Sequence, residues 1–153
     1  FITGSADSPT GMERLAGYRE ALARHGIPVR EALIAPGKWT PACGAAGVST
    51  LLARGVSFTA LIASNDDMAI GAIKQLYESG LSVPEQVSVV GFDDIALAPY
   101  VIPSLASVKM PVTEMIQETI SRLITMVEEG EAGELPSFSG KLIRRDSLKR
   151  LLE

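Results

Sequence analysis

The 153-residue chain, with 46% hydrophobic and 21% charged residues, has the composition of a packed domain or of part of a larger protein, not of a disordered chain. Its net charge of −4 argues against binding to the phosphate backbone of nucleic acids, which requires a basic surface. The single cysteine, Cys43, excludes an internal disulfide, and no apolar run reaches the roughly 18 residues of a membrane-spanning helix, so we expect no membrane contact.

Short apolar segments alternate with amphipathic segments from residue 1 to residue 92. Strands are predicted at 1–4, 32–35, 59–64 and 87–92. Helices are predicted between them, at 9–26, 42–54 and 66–79. This alternation predicts an α/β fold with a parallel, doubly wound sheet and helices on both of its faces.

The pattern changes after Asp94. Residues 95–105 contain two prolines and are predicted to form a loop, which is followed by a short strand at 107–110. The longest helix is predicted at 111–129, and a last strand follows an acidic loop at 139–145. Apolar residues recur at helical spacing in this helix and predict a wide stripe: Val112, Met115, Ile116, Ile120, Leu123, Ile124 and Val127.

Two of the predicted strands end in polar residues, one at Asn65 and the other at Asp93. In an open parallel sheet the carboxyl ends of the strands form a crevice in which ligands bind. A carboxylate accepts hydrogen bonds and an amide both donates and accepts them, so the pair suits the hydroxyl groups of a sugar. Asn65 is equally well explained as the cap of the following helix, with Asp66 and Asp67 at its positive end.

Asp93 and Asp94 are adjacent carboxylates between a strand and a loop. Such a pair can form an ordinary turn, hold Mg²⁺ or share a proton in acid–base catalysis. Adjacent side chains of an extended chain point in opposite directions. We therefore expect only Asp93 to face the crevice, which weakens the catalytic interpretation.

Two further side chains fit a sugar site. Trp39, the only tryptophan, lies in a predicted loop, where its ring can stack on the C–H face of a pyranose or can anchor the loop on the core. Arg14 lies in the first turn of a predicted helix, and its guanidinium can grip neighbouring hydroxyl groups with several donors. The alternative for Arg14 is an ion pair with Asp7 or Glu13.

Signals of catalysis are absent from the sequence. The glycines do not form a phosphate-binding fingerprint, and no serine has a nucleophile-elbow context. His25 is the only histidine and sits at a predicted helix end, so hydrolytic triads are nearly excluded. We expect no catalytic residue, no metal site and no cofactor, and hence a protein that is not an enzyme.

The chain carries an ordered set of motifs: Ser8-Pro9-Thr10, Glu13 to Tyr18, Ser64 to Ala72, Val89 to Asp94, Val108 to Pro111 and Arg144 to Ser147. In this order they closely resemble the effector-binding module of LacI/GalR-type bacterial transcription regulators, from Phe1 to about Leu148. The segments most similar to the galactose repressor and isorepressor branch are Gly37 to Pro41, Met115 to Glu118 and Ser139 to Ile143.

This resemblance implies the second lobe of a type I, two-lobed, periplasmic-binding-protein-like sugar-binding module. In that family a helix-turn-helix head binds operator DNA, the effector lies between the lobes, and the cytoplasmic regulators dimerise. By resemblance, Arg14, Asn65 and Asp93 match the hydroxyl-binding positions, Trp39 the aromatic that packs on the sugar, and Thr10 a nearby polar contact. The implied effector is a galactose-like sugar.

The resemblance also implies a division of the chain, which we expect to be part of a longer regulator. Residues 1–105 and 139–150 match the C-terminal lobe, and residues 106–130 match a strand and helix that return to a mostly missing N-terminal lobe. We expect the 111–129 helix to pair copies of the chain, and operator DNA to be bound only by the missing head.

Two other classes of protein remain open at this point. A transporter-type periplasmic sugar-binding protein shares the lobes and is distinguished by a secretion signal. A flavodoxin-like receiver or enzyme domain would use Asp93 or Asp94, with a lysine at a later strand end that Lys109 matches only loosely.

Overall fold

The computed structural model describes residues 1–131, 133–134 and 136–149. Its elements in chain order are α1 (Pro9–Arg24), a 3₁₀ turn (Glu31–Leu33), α2 (Pro41–Ala53), β1 (Ala60–Ile62), α3 (Asp66–Glu78), β2 (Ser88–Phe92), β3 (Ala106–Lys109), α4 (Val112–Glu129) and β4 (Lys141–Ile143). Arg150, at the end of the predicted C-terminal lobe, lies outside the described residues. No helix in the described ranges is both long enough and apolar enough to cross a membrane.

The four strands form one sheet in the order β1-β2-β3-β4. Strands β1, β2 and β3 are parallel, with Leu61 opposite Val89 and Gly91 opposite Ser107. The predicted α/β fold with a parallel sheet is confirmed for β1 to β3, and β4, whose direction the sequence left open, runs antiparallel to β3. Lys141 at the start of β4 pairs with Lys109 at the end of β3, so the chain leaves and re-enters the sheet at the same edge and must reverse its direction.

The predicted strands at 1–4 and 32–35 are reduced to isolated bridges. Ile2 bridges both Ala35 and Ala63 in parallel, and the amide of Ile2 donates to the carbonyl of Ile62 at 2.9 Å. The residues just before Ile34 form the 3₁₀ turn instead of extended chain. The first three residues therefore continue the sheet beyond β1 without forming a regular strand.

The core lies between the sheet and the pair α2–α3. Helix α3 packs on both α2 and β2, and it buries Met68 and Leu76 completely. Glycines allow the two helices to approach closely, because a Cβ on Gly44 would lie 2.0 Å from the carbonyl oxygen of Met68. Thr40 caps α2 by accepting a hydrogen bond from the amide of Cys43 at 3.3 Å.

Helix α4 packs on almost nothing in the described chain. None of its residues is buried, and Val127 is 86% exposed. The strand that precedes it, β3, is an inner strand of this sheet, hydrogen-bonded on both sides, and the return of residues 106–130 to another lobe stays a prediction.

Candidate functional site

Arg14 joins three elements at the carboxyl edge of the sheet. From α1 its guanidinium donates to the carbonyl oxygen of Ser64, just beyond β1, and to Oδ1 of Asp93, just beyond β2, at 3.0 Å. The guanidinium carbon also lies 3.8 Å from the ring centroid of Phe92, a cation–π contact. Arg14 and Asp93, two predicted site residues that lie 79 positions apart in the sequence, are therefore in direct contact.

The two adjacent aspartates have different partners, although the backbone there is not extended as predicted, since φ is 111° at Asp93 and 52° at Asp94. The side chain of Asp93 is 43% exposed and uses Oδ1 for Arg14, so its other oxygen is open to a ligand donor. Asp94 is only 8% exposed and pairs with Arg145 at 2.7 Å and with Lys109 at 3.6 Å. The pair therefore does not converge on one metal ion or one proton.

The side chain of Asn65 uses most of its hydrogen-bonding groups for contacts within the protein. Its Oδ1 accepts from the amide of Met68 at 3.0 Å, which caps α3, and its Nδ2 donates to the carbonyl of Trp39 at 3.0 Å. The capping interpretation is confirmed. One amide hydrogen is left over on a side chain that is mostly buried, so ligand contact by Asn65 stays a prediction.

Trp39 serves as a loop anchor beside the arginine. A Cβ on Gly4 would lie 2.2 Å from the indole ring, which shows how closely the ring packs on that backbone. The guanidinium carbon of Arg14 lies 5.6 Å from the ring centroid. Trp39 and Arg14 thus belong to one cluster with Asp93, and the anchor and ligand roles are compatible.

A cavity of about 680 Å³ adjoins this cluster. Its polar lining residues include Thr10, Arg14 and Ser64, and its apolar lining residues include Phe1, Tyr18, Ile62, Val108, Met110 and Met115. Asn65, Asp93 and Trp39 are not among its lining residues. Of the predicted site residues, Arg14 and Thr10 therefore line this cavity, and the other three do not.

The sequence explains Asp66 only by favourable placement at a helix start, yet the pKa of its carboxyl is raised above the ordinary value. Burial raises the pKa of its carboxyl, hydrogen bonds from Ser107 and Ile95 oppose that rise, and the charges of Asp93 and Asp94 add to it. Asp67, its neighbour, is exposed. The burial of one of two adjacent acids is a tertiary effect that residue types alone do not reveal.

Metal binding has no obvious location in the described part of the chain. No three His, Cys, Asp or Glu side chains come together there. The separation of Asp93 from Asp94 also removes the paired carboxylates on which the magnesium interpretation depended.

Comparison with known proteins places this geometry in context. The family described as "Periplasmic binding protein-like domain" matches residues 1–148. The HTH-type transcriptional regulator AscG of Escherichia coli is 68% identical over 148 residues, which are 97% of this chain and 44% of AscG. The HTH-type transcriptional regulator GalR of Escherichia coli is 35% identical over 89% of this chain and 40% of GalR.

A solved structure is similar over nearly the whole chain. It is a sugar-binding transcriptional regulator of the LacI family from Escherichia coli in complex with phosphate, with a TM-score of 0.92 and 68% identity. The alignment covers 97% of this chain and 53% of that one. The chain thus spans about half the length of the proteins that it matches.

Proposed function

Because this chain belongs to the LacI family of transcription regulators, as their periplasmic-binding-protein-like domain, we propose that it binds a small sugar as the effector of such a regulator. The observation that carries the proposal is the contact between Arg14 and Asp93 at the carboxyl edge of the sheet, with Trp39 beside it. This places a fork of donors, an open carboxylate oxygen and an aromatic ring within one cluster.

The chemistry of this cluster fits neighbouring hydroxyl groups. The guanidinium of Arg14 has five N–H donors and uses two nitrogens for Ser64 and Asp93, so it can still donate to a hydroxyl oxygen. The free oxygen of Asp93 can accept from the adjacent hydroxyl. Trp39 would stack on the C–H face of the ring, and Thr10 would contact the sugar from α1.

We propose a galactose-like hexose as the first candidate, on the strength of the segments that resemble the galactose repressor branch. AscG, at 68% identity, is more similar to this chain than GalR is, at 35%. A sugar other than galactose is therefore a direct competitor, and the test below includes one.

In the longer regulator, the sugar would favour one arrangement of two lobes and so change the affinity of a separate helix-turn-helix head for operator DNA in the cytoplasm. Helix α4 would pack on the other lobe there. In this chain its exposed stripe would pair copies of the chain instead. The role is one of binding and regulation, not of catalysis.

Titration of the chain with galactose, glucose and glycerol tests the proposal, because Trp39 is the only tryptophan and reports on its own surroundings. A two-lobed relative closes on its sugar from both sides, so loss of about 4 kcal/mol of contacts reduces micromolar affinity to roughly millimolar. We expect millimolar binding of one hexose, followed by tryptophan fluorescence and by NMR of the indole, and none of glycerol.

Arg14→Lys keeps the charge but removes the fork, and we expect it to abolish the response. Arg19→Lys on the same helix is the matched control, because Arg19 is exposed and pairs with Glu31 at 2.7 Å, away from the Arg14 cluster. Equal responses of the two variants, or of glycerol and the hexoses, would contradict the proposed site. Submicromolar binding would contradict the half-cleft argument.

A further inference from the structure

The 93–95 turn, which carries Asp93, is hydrogen-bonded to the buried carboxylate of Asp66. Asp66 is fully buried at the start of α3. Its Oδ2 accepts from the amide of Ile95 at 2.9 Å, and its Oδ1 accepts from the hydroxyl of Ser107 at 2.6 Å. One side chain thus connects α3 to the turn after β2 and to β3.

Ser107 extends this connection by one residue. Its hydroxyl oxygen accepts from the amide of Asp94 at 3.0 Å while its hydrogen is donated to Asp66. The amide of Asp93 itself donates to the carbonyl of Val108 at 2.9 Å. Three consecutive amides of the 93–95 turn are therefore bound, and two of them depend on Asp66 directly or through Ser107.

This turn needs such support because of its backbone conformation. Asp93 has φ of 111° and Asp94 has φ of 52°, both in the left-handed region that favours glycine. Residues in such conformations persist where surrounding contacts hold them. The hydrogen bonds that the amides of Ile95 and Asp94 donate to Asp66 and Ser107 provide those contacts beside Asp93.

Helix capping does not account for Asp66, because Asn65 already caps α3 through the amide of Met68. The protein also leaves room for this carboxylate: a Cβ on Gly91 would lie 2.1 Å from Oδ1 of Asp66. The nearby cations are paired with other acids, Arg14 with Asp93, and both Arg145 and Lys109 with Asp94. Burying an acid without a cationic partner is costly, which argues for a specific task.

We propose that Asp66 is a positioning residue for the effector, acting through Ser107 and the 93–95 turn to hold the open oxygen of Asp93 beside Arg14. This inference rests on the proposed sugar site, because its consequence is sugar affinity. Asp66 itself does not touch the sugar.

Asp66→Ala removes both acceptors, whereas Asp66→Asn keeps one oxygen for Ile95 or Ser107. Asp67→Ala is the matched control, since it removes the adjacent, exposed acid of the same helical turn. We expect Asp66→Ala to weaken hexose binding about tenfold, as expected when buried donors lose their acceptor. Asp66→Asn should lie between it and the parent, and Asp67→Ala should match the parent.

Hexose affinity is measured by NMR titration and calculated for the folded protein only, whose fraction is obtained from circular dichroism. A loss of stability is then not mistaken for a loss of positioning. A folded Asp66→Ala variant that binds as the parent does would overturn the proposal. If Asp66→Ala does not fold, Ser107→Ala replaces it, because it removes the hydroxyl that joins Asp66 to the amide of Asp94 but keeps the bond of Asp66 to the amide of Ile95. We expect about threefold weaker binding from that variant, and parental affinity would again overturn the proposal.

Amide hydrogen exchange separates this inference from the proposed function. In the sugar-free protein, we expect Asp66→Ala to lose protection at Asp94 and Ile95 while Met68, bound by Asn65, keeps it. If no hexose binds the parent, the proposed function fails and the positioning inference falls with it, whatever the exchange result. If a hexose binds but Asp94 and Ile95 remain protected in the variant, the positioning inference alone fails.

Discussion

Helices α3 and α4 carry comparable apolar patterns but lie in opposite surroundings. Helix α3 buries seven of its residues against α2 and the sheet, including Met68 and Leu76. Helix α4 has none buried, although its stripe includes Ile120, Leu123 and Val127. The pattern of apolar residues thus predicts a helix in both cases, but it does not tell whether the partner of that helix lies in the same chain.

The largest expected effect comes from forcing α2 and α3 apart. Gly71→Ala would place a Cβ 1.8 Å from the carbonyl oxygen of Pro41, a backbone atom that cannot move without separating the helices. We expect the free energy of unfolding to fall by about 3 kcal/mol or more in urea titrations. Gly17→Ala on α1 meets nothing within 4 Å and should instead raise it by about 0.5–1 kcal/mol. Similar losses at both glycines would contradict the close contact of α2 with α3.

Truncation of one leucine in each helix gives a smaller and more direct comparison. Leu76 of α3 is 0% exposed, and Leu76→Ala should reduce the free energy of unfolding by about 2–5 kcal/mol. Leu123 of α4 is 56% exposed, and Leu123→Ala should change it by less than about 0.5 kcal/mol. The two variants are compared by thermal and urea denaturation at low protein concentration. A large loss for Leu123→Ala would reveal packing of α4 that the monomer does not display.

The smallest change in stability is expected for variants that test whether copies of the chain associate through α4. Ile120→Lys places a charge in the middle of the exposed α4 stripe and should shift the chain toward the monomer in sedimentation velocity, with little change in its melting temperature. Tyr77→Lys is the control, because Tyr77 is 82% exposed on a different apolar surface beside Ile102. If only Tyr77→Lys dissociates the assembly, the association surface lies on α3 and not on α4.

Much of the fold could be predicted from periodicity and turn residues. Helices α2, α3 and α4 and strand β2 begin and end within one residue or so of their predicted bounds. The direction of β4 could not be predicted, because it depends on where the chain returns after α4. The inner position of β3 in the sheet could not be predicted either, because it depends on pairing with strands that are distant in sequence.

Part of the candidate site could be predicted from the sequence. Strand ends predicted that Asn65 and Asp93 lie at one edge of the sheet, whereas the contact of Arg14 with Asp93 and the burial of Asp94 depend on the folded chain. The role of Asp66 was missed because an acid at a helix start has a sufficient local explanation. Its bond to the amide of Ile95 spans 29 positions, and only the folded chain brings those atoms together.

The departure and return of the chain at Lys109 and Lys141 has a mechanical consequence. Residues 110–140 are attached to the sheet by two adjacent crossings, and one of them, β3, receives a hydrogen bond at Val108 from the amide of Asp93. A body fastened to α4 would therefore be joined to the sheet next to Val108, whose carbonyl accepts from the amide of the residue that meets Arg14.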